Sequence, residues 1–435
     1  MTYQFALVVV LAALLWSGAV FSQTRHFPAG TREVYIANVS GIRTELLQNI
    51  APIIEKSISK GNYPGAVILI GHKQKVIYRG VFGSRRILPD VAPMQFNTIF
   101  DIASLTKVVA TTPAIMQLVE QGKIDLDAPV IHYWPEFSGH GKQSVTVREL
   151  LTHTSGLPSE ISIGSDKITK NAALQKICQL KLHHQPGKNF LYSDVNFMVL
   201  AHLVEIISNE NFDEYVQNHI FKPLKMNDSF FSAVTNKNIL SLRDKIAPTE
   251  FINKELRWGE VHDPAAYSLQ GVSGNAGVFS NANDLGIYAQ ALLDGGKLPT
   301  PQHKGSVTMS HFLSPLSIAK MTTRQTPEAM GDVRGLGWDI DSRYSNRGVL
   351  FPMNSFGHTG WTGTSLWIDP ATQTWIIILT SRAHPTPAKN NQLVQDRRII
   401  ANIVSASIVD IANISLNNTG KGELARAYPD AGRAG

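Results

Sequence analysis

A serine and a lysine lie three residues apart in the segment Ser104-Leu105-Thr106-Lys107. Side chains three positions apart on a helix share a face, so the Lys107 amine can reach the Ser104 oxygen. A serine hydroxyl is a poor nucleophile without a base, and a lysine serves as that base only if its pKa is lowered. A serine at a helix N-terminus also lies in a positive field that favours a developing oxyanion. The spacing therefore predicts nucleophilic catalysis through Ser104.

The same spacing occurs at Ser57–Lys60 and at Ser317–Lys320, so the spacing alone is a weak signal. The surrounding sequence separates the three segments. Ser57 falls at the end of a predicted helix, and Ser317 belongs to an ordinary amphipathic helix. Ser104 instead follows a mostly apolar stretch of sequence whose last residue is small. Such a sequence suits a nucleophile buried at the start of a core helix. We therefore interpret Ser57 and Ser317 as structural.

Two further segments carry groups that fit such a reaction. Tyr192 precedes a predicted helix, and its hydroxyl can take a proton if nearby cations lower its pKa. The alternative for Tyr192 is a half-buried aromatic beside a helix N-cap. His358-Thr359-Gly360 lies on a predicted strand whose edge can accept a substrate backbone by strand addition. The alternative for this segment is a bend that glycine permits.

Hydrophobic periodicity predicts the elements that position these segments. The predicted helices cover 41–59, 106–122, 196–208 and 392–411, and Ser280 or Asn281 is expected to cap a helix ending near Leu293. The predicted strands cover 66–71, 75–83, 335–341, 355–369 and 374–381. Because two isolated strands are marginally stable, the first two and the last three must form one sheet.

The predicted fold class is therefore an α/β (α+β) sandwich, an antiparallel sheet flanked by helices. Its sheet part covers about 41–100 and 330–412. The middle of the chain, about 104–320, is predicted to be an inserted all-helical domain. Together these parts form one catalytic domain over 41–412.

The chain begins with an apolar segment, residues 5–21, and Ser22 suits signal-peptidase cleavage before Gln23. A cleaved signal peptide over 1–22, a retained membrane anchor and a buried helix all stay open. Cys178 is the only cysteine, so no intramolecular disulfide can form, which fits a bacterial periplasm. We expect an exported periplasmic protein, soluble or tethered to the inner membrane through 5–21, with a disordered tail at 417–435.

The composition narrows the classes of partner. The 435 residues carry a formal net charge of +6 that is not gathered into a Lys/Arg run, which favours a soluble basic surface over nucleic-acid binding. No H-E-x-x-H motif occurs, and the glycine-rich stretch 271–277 lacks the spacing of a phosphate loop. We therefore predict no nucleic-acid partner, no metal and no cofactor.

Ser104 with Lys107, then Tyr192, then the His-Thr-Gly segment at 358–360 occur in the order of serine β-lactamases and low-molecular-mass penicillin-binding proteins. The chain resembles that superfamily from about residue 46 to 411. Further stretches resemble it too, especially its class C-like branch: 150–158, 274–280 and 357–369. Residues 261–264, Val-His-Asp-Pro, are similar to a group that includes periplasmic D-alanyl-D-alanine carboxypeptidases of the penicillin-binding protein four B type.

The resemblance implies a β-lactamase-like fold with the site between the sheet and the helical domain. It implies that Ser104 attacks an acyl carbonyl and forms an acyl-enzyme. Lys107 and Tyr192 would share the proton transfers, and which of them is the base stays open. The backbone N–H groups of Ser104 and Trp361 would form the oxyanion hole, where losing one donor costs about a hundred- to a thousandfold in rate.

Two positions depart from the superfamily's pattern. His358 stands where a lysine is more usual, and a neutral imidazole binds a carboxylate less strongly than an ammonium does. Asp194 stands where an asparagine is common, and a carboxylate cannot donate to a substrate carbonyl. Asp194 could pair with Lys107 or cap its helix, and Asn196 is an alternative source of an amide. The predicted substrate-binding residues are Asp194, His358, Thr359, Gly360 and Trp361.

The sequence therefore predicts a serine hydrolase acting through an acyl-enzyme. The expected substrate is a cell-wall peptide ending in D-alanyl-D-alanine, and weak β-lactam acylation or hydrolysis is expected from the same chemistry. The close alternative is an esterase or transesterase on small acyl esters. A rival from another class is a non-catalytic family member that binds peptide or β-lactam. The oligomeric state is not predicted.

Overall fold

The computed structural model describes residues 30–161, 169–232, 239–298, 311–388 and 390–410. The strands are β1 (Thr31–Ile36), β2 (Gly65–His72), β3 (Lys75–Arg86), β4 (Ala92–Pro93), β5 (Phe100–Asp101), β6 (Phe230–Phe231), β7 (Phe251–Ile252), β8 (Glu255–Leu256), β9 (Val278–Ser280), β10 (Val333–Arg334), β11 (Asp339–Asp341), β12 (Phe356–Thr359), β13 (Thr364–Asp369) and β14 (Thr374–Thr380). The α-helices are α1 (Thr44–Leu47), α2 (Ile50–Ser59), α3 (Thr112–Glu120), α4 (Val147–Leu151), α5 (Lys170–Gln179), α6 (Asp194–Ser208), α7 (Phe212–Val216), α8 (Lys222–Leu224), α9 (Ile239–Leu242), α10 (Pro264–Ser268), α11 (Ala282–Leu293), α12 (Pro315–Thr322) and α13 (Gln392–Ser407).

The two ends of the chain share one antiparallel sheet. Across the described residues its strand order is β1-β3-β2-β14-β13-β12-β11-β10, with β4 paired to β3. The N-terminal and C-terminal parts join where β2 pairs with β14, so that Ala66 faces Thr380 and His72 faces Thr374. The prediction that the first and last strands form a single sheet is confirmed.

Both faces of this sheet are buried, because its side chains alternate between two cores. On one face, Ala66, Ile68 and Ile70 pack in a cluster with residues of α2 and α13. On the other face, Val67 and Leu69 pack in a cluster with residues of α3, α6 and α11. Helices therefore flank the sheet on both sides, as the sequence predicts.

The segment between β4 and β10 is mainly helical and also contains two small sheets, β5-β9-β6 and the hairpin β7-β8. These short strands are not among the elements predicted from the sequence. The first of the small sheets matters for function, because β5 leads directly into Ser104. In this sheet Phe100 pairs with Ser280, and Asp101 pairs with Phe279.

Several predicted elements differ from the structure. The helix predicted over 41–59 is two helices, α1 and α2, and strand β1 lies before the predicted start of the domain at residue 41. The single strands predicted over 335–341 and 355–369 are wrong, because each region contains a turn between two strands. Gly337 (φ +77°) and Gly363 (φ +115°) adopt the left-handed backbone that these turns require.

Other predictions are confirmed or fall outside the described residues. Asn281 caps α11, since its side chain accepts a hydrogen bond from the Asp284 N–H. Helix α13 ends at Ser407. The signal or anchor segment 1–22 and the tail 417–435 lie outside the described ranges. Within those ranges, no helix has the length and apolar character needed to span a bilayer.

Candidate active site

A strained turn presents Ser104 at the end of β5. Ala103 has φ +47°, a left-handed conformation that costs a non-glycine residue about 1–3 kcal/mol. The buried Asp101 carboxylate supports this turn, because its Oδ1 accepts a hydrogen bond from the Ala103 N–H at 2.8 Å. The main-chain oxygen of Asp101 accepts from the Thr362 hydroxyl at 2.6 Å. Ser104 is thereby fixed relative to the turn between β12 and β13.

Lys107 lies directly behind Ser104 and is fully buried. Ser104 is in a 3-10 turn, and a π-helical turn beginning at Lys107 leads into α3. The Lys107 Nζ donates to Ser104 Oγ at 2.9 Å and to the Asn275 main-chain oxygen at 3.0 Å. It also lies 2.6 Å from Asp194 Oδ1. Of the two alternatives for Asp194, the ion pair with Lys107 is the one the structure shows.

The helix cap is instead Ser193, whose hydroxyl accepts from the Asn196 N–H. Asn196 does not line the cleft: it is buried, and its Oδ1 accepts from the Ser155 hydroxyl at 2.6 Å. The alternative in which Asn196 supplies an amide to substrate is therefore wrong, because the helix directs its side chain into the core.

The electrostatic balance differs from the one expected for a lysine base. Burial lowers the pKa of Lys107, but the Asp194 carboxylate and Tyr192 together raise it by more. The pKa of Lys107 therefore lies above its ordinary value. Burial also raises the pKa of the Tyr192 hydroxyl, against the lowering effect of Lys107. The resting site thus contains a Lys107 ammonium and a neutral Tyr192. A nearby carboxylate, which the S-x-x-K spacing does not reveal, reverses the expected shift.

Tyr192 is held over this pair by an aromatic stack. Its hydroxyl interacts with both Lys107 and Ser104, and its ring centroid lies 5.0 Å from Lys107 Nζ. The imidazole of His153, in the segment 150–158, stacks on the Tyr192 ring at 4.3 Å. His153 Nδ1 accepts from the Ser193 N–H at 3.1 Å. Burial lowers the pKa of His153 well below its ordinary value, so this support is a neutral ring.

His358 faces Tyr192 across the cleft, with 6.0 Å between the ring centroids. Its Nδ1 lies 2.8 Å from the Thr359 main-chain oxygen and must therefore donate to it. Burial, with Arg334 and Lys107 nearby, lowers the pKa of His358 well below its ordinary value. The ring is neutral, and its Nε2 is a buried acceptor with no hydrogen-bond partner among the described residues.

Arg334 is a cleft residue that the sequence analysis missed. It is 1% exposed, its Nη2 donates to the Gly337 oxygen at 2.9 Å, and its Nη1 lies 3.5 Å from Asp339 Oδ2. In the described part of the chain its Nε has no partner. A single arginine at a strand end carries no specific sequence signal. Only the folded sheet, which places β10 beyond β11 and β12, brings Arg334 to the cleft.

These residues surround one cleft of about 560 Å³. The structure brings together every predicted site residue: Lys107 lies beneath Ser104, and the cleft is lined by Ser104, Tyr192, Asp194, His358, Thr359, Gly360 and Trp361. Residues that line it without having been predicted include His262, Asp263, Arg334, Arg382 and Arg397. No group of three or more His, Cys, Asp or Glu side chains within the described ranges is arranged to hold a metal.

The two other serine–lysine spacings have structural contacts. The buried Ser57 hydroxyl donates to Asp396 Oδ2 at 2.6 Å. Ser317 lies in the first turn of α12, and its N–H donates to the Ser314 hydroxyl at 3.2 Å. Neither serine lines the cleft. These contacts agree with the structural interpretation of Ser57 and Ser317.

Comparison with known proteins shows to which family the chain belongs. The β-lactamase family profile matches residues 48–398, and the chain belongs to that family. The "Putative D-alanyl-D-alanine carboxypeptidase" of Escherichia coli K12 is 29% identical, with 83% of this chain and 88% of that protein covered. The "N-acetylmuramyl-L-alanine amidase" of Bacillus subtilis 168 is 30% identical, with 80% and 83% covered.

A solved structure of a penicillin-binding protein homologue from Caulobacter crescentus matches with a TM-score of 0.65 and 19% identity. The match covers 86% of this chain and 100% of that one. At this identity the match shows the fold alone, and it confirms the β-lactamase-like fold expected from the sequence.

Proposed function

We propose that the chain is a serine-type acyl hydrolase that removes the terminal D-alanine from cell-wall peptides ending in D-alanyl-D-alanine. One observation carries this proposal: the Ser104–Lys107 pair and the buried Arg334 guanidinium meet in the same cleft. The Ser104–Lys107 pair supplies a nucleophile, and Arg334 supplies a cation for a terminal carboxylate. The name of the E. coli relative agrees with this substrate class.

The first half of the reaction forms the acyl-enzyme. Ser104 Oγ attacks the carbonyl carbon, and in the same step Tyr192 gives its phenolic proton to the departing D-alanine nitrogen while its oxygen takes the Ser104 proton, so that Tyr192 is neutral before and after. The Ser104 O–C bond forms and the peptide C–N bond breaks. The Lys107 ammonium, held charged by Asp194, stabilises the partial negative charge on the Tyr192 oxygen as the phenolic proton leaves. The N–H groups of Ser104 and Trp361 stabilise the oxyanion.

The second half of the reaction releases the acyl group. A water molecule attacks the ester carbon, its proton passes to the Tyr192 oxygen, and Tyr192 returns a proton to Ser104 Oγ. Tyr192 and Ser104 both line the cleft, so the same relay serves both halves. Lys107 and Asp194 keep their charges throughout.

Arg334 supplies the positive charge that His358 lacks. Its Nη2 already donates to the Gly337 oxygen and its Nη1 lies near Asp339, so Nε, which has no partner among the described residues, is the donor left for a free C-terminus. The neutral His358 leaves that role to Arg334, and its Nε2 can accept a hydrogen bond from a substrate N–H. The departure from the superfamily's usual lysine is therefore compatible with a carboxypeptidase.

A second candidate is hydrolysis of an amide bond between a muramyl acyl group and L-alanine. It is favoured by the similarity to the B. subtilis amidase, which is as high as that to the E. coli protein. The same nucleophile and relay would act on that amide bond. We also propose export, since both relatives come from bacteria and their names refer to cell-wall bonds.

The test is to incubate the purified chain with three substrates: an acyl-D-alanyl-D-alanine peptide, a muramyl-L-alanyl peptide and a small chromogenic ester. Ser104→Ala is the inactive variant and Ser317→Ala is its matched control, because both replace the serine of a serine–lysine spacing. Released D-alanine with wild type and Ser317→Ala, but not with Ser104→Ala, supports the carboxypeptidase. Cleavage of only the muramyl substrate supports the second candidate, and turnover of only the ester indicates an esterase. Binding without turnover of any substrate indicates a non-catalytic binder.

A further inference from the structure

The Val-His-Asp-Pro segment at 261–264 lies at the cleft, yet the chemistry proposed above does not use it. The imidazole of His262 stacks on the Trp361 indole, with 4.3 Å between the ring centroids and 15° between the planes. The Arg382 guanidinium also lies over this indole, at 5.3 Å, and its Nη1 donates to the Trp361 oxygen at 3.0 Å. Trp361 is thus held from two sides in the turn between β12 and β13.

His262 is fixed in turn by two further contacts. Its Nε2 lies 2.6 Å from Glu250 Oε1, which sets the orientation of the ring. Its main-chain N–H donates to Asp101 Oδ2 at 2.6 Å, and the other oxygen of Asp101 accepts from the Ala103 N–H. His262 therefore links the residue before the nucleophile to Trp361.

An oxyanion hole depends on the mutual position of two N–H groups, and here they come from different elements. Ser104 follows β5, whereas Trp361 lies in a turn between strands of the main sheet and is 48% exposed. Within this turn only the Trp361 side chain is exposed, because Gly360, Thr362 and Gly363 are buried and the Thr362 hydroxyl donates to the Asp101 oxygen. The link through His262 adds a restraint on Trp361 itself, the residue that carries the second N–H.

We propose that Glu250 and His262 are positioning residues that hold the Trp361 turn against the Ser104 turn, so that both N–H groups face one oxyanion. This inference rests on the proposed acyl-enzyme chemistry. His262 acts through Trp361 rather than on the substrate, because its Nε2 is engaged by Glu250 and its ring face by the indole.

The test separates binding of a tetrahedral oxyanion from binding of a planar ligand. Phenylboronic acid forms a tetrahedral adduct with a nucleophilic serine, whereas the dipeptide D-alanyl-D-alanine, bound by a Ser104→Ala background, remains planar. Three variants are compared with wild type: His262→Ala, Glu250→Gln and the control His132→Ala. His132 also contacts an aromatic ring, that of Tyr133 at 5.0 Å, but it does not line the cleft.

In His262→Ala we expect phenylboronic acid affinity and the rate of Ser104 acylation by a chromogenic ester to fall together by about tenfold or more. Glu250→Gln should change both in the same direction by less, and His132→Ala should change neither. Affinity for the dipeptide should be unaltered in all three. The proposal is overturned if His262→Ala retains wild-type boronate affinity and acylation, or if the dipeptide weakens as much as the boronate. A wild-type chain that forms no boronate adduct would instead contradict the proposed nucleophile.

Discussion

Replacing Asp194 by asparagine tests whether Lys107 is held in its protonated form. The carboxylate lies 2.6 Å from Lys107 Nζ, and at an effective dielectric constant of about 20 this attraction is worth about 6 kcal/mol. Solvent reduces it, since the Asp194 side chain is 21% exposed. Even a quarter of that energy corresponds to about one pH unit. Without the carboxylate, burial lowers the pKa of Lys107 and Tyr192 raises it, so the pKa falls relative to wild type.

The assay is the pH dependence of kcat/KM for wild type and Asp194→Asn. If Lys107 acts as a fixed ammonium beside Tyr192, the variant loses activity as the pH rises and Lys107 loses its proton. The midpoint of this alkaline loss should lie at least about one pH unit below that of any alkaline loss in wild type. Glu160→Gln is the matched control, because Glu160 is an exposed carboxylate on the same cleft. Activity of Asp194→Asn that rises with pH would refute the reasoning and identify neutral Lys107 as the base.

Three further predictions concern recognition and stability. Arg334→Lys keeps the charge but loses the Nε donor, so KM for an acyl-D-alanyl-D-alanine peptide should rise about tenfold while kinetics with a neutral chromogenic ester stay unchanged. An equal loss on both substrates would contradict carboxylate binding. Burial lowers the pKa of His384 to about 4, below the value of about 6.5 in the unfolded chain. The contribution of neutral His384 to the free energy of unfolding is therefore complete above pH 6.5 and is lost as the pH falls towards 4. His384→Gln should remove about 3 kcal/mol of that acid-induced loss, measured by urea unfolding at pH 7 and 4, and an unchanged pH dependence would refute it. Ser57→Ala leaves a buried Asp396 oxygen with one donor fewer and should lower the free energy of unfolding by about 1–3 kcal/mol without altering kcat/KM; lost activity in the folded variant would contradict its structural assignment.

Much of the fold follows from periodicity, because the interior elements carry continuous or alternating apolar patterns. That the first two and the last strands form one sheet follows from the instability of two isolated strands, whereas the specific pairing of β2 with β14 is seen only in the structure. The hairpin turns inside 335–341 and 355–369 are missed because glycines interrupt runs that otherwise suit a strand. Gly337 and Gly363 turn the chain there, and a strand bend and a hairpin turn share this sequence pattern.

The candidate site, like the fold, is only partly predictable from the sequence. Ser104, Lys107 and Tyr192 are found from residue type and order, but their electrostatics depend on distances between remote segments. The Asn275 oxygen that accepts from Lys107 is 168 residues away along the chain. Arg334 carries no distinctive spacing, and His262 is noted only as part of the similar segment 261–264; the packed structure is needed to show that both line the cleft.

The central claim is that Ser104 is the nucleophile of an acyl-enzyme. The most direct measurement is the intact mass of the purified chain after incubation with a fluorescent penicillin, beside Ser104→Ala. The account predicts one covalent adduct in wild type, mapped to Ser104 by peptide digestion, and none in the variant. An adduct of equal yield in Ser104→Ala, or hydrolysis retained by that variant, would contradict it.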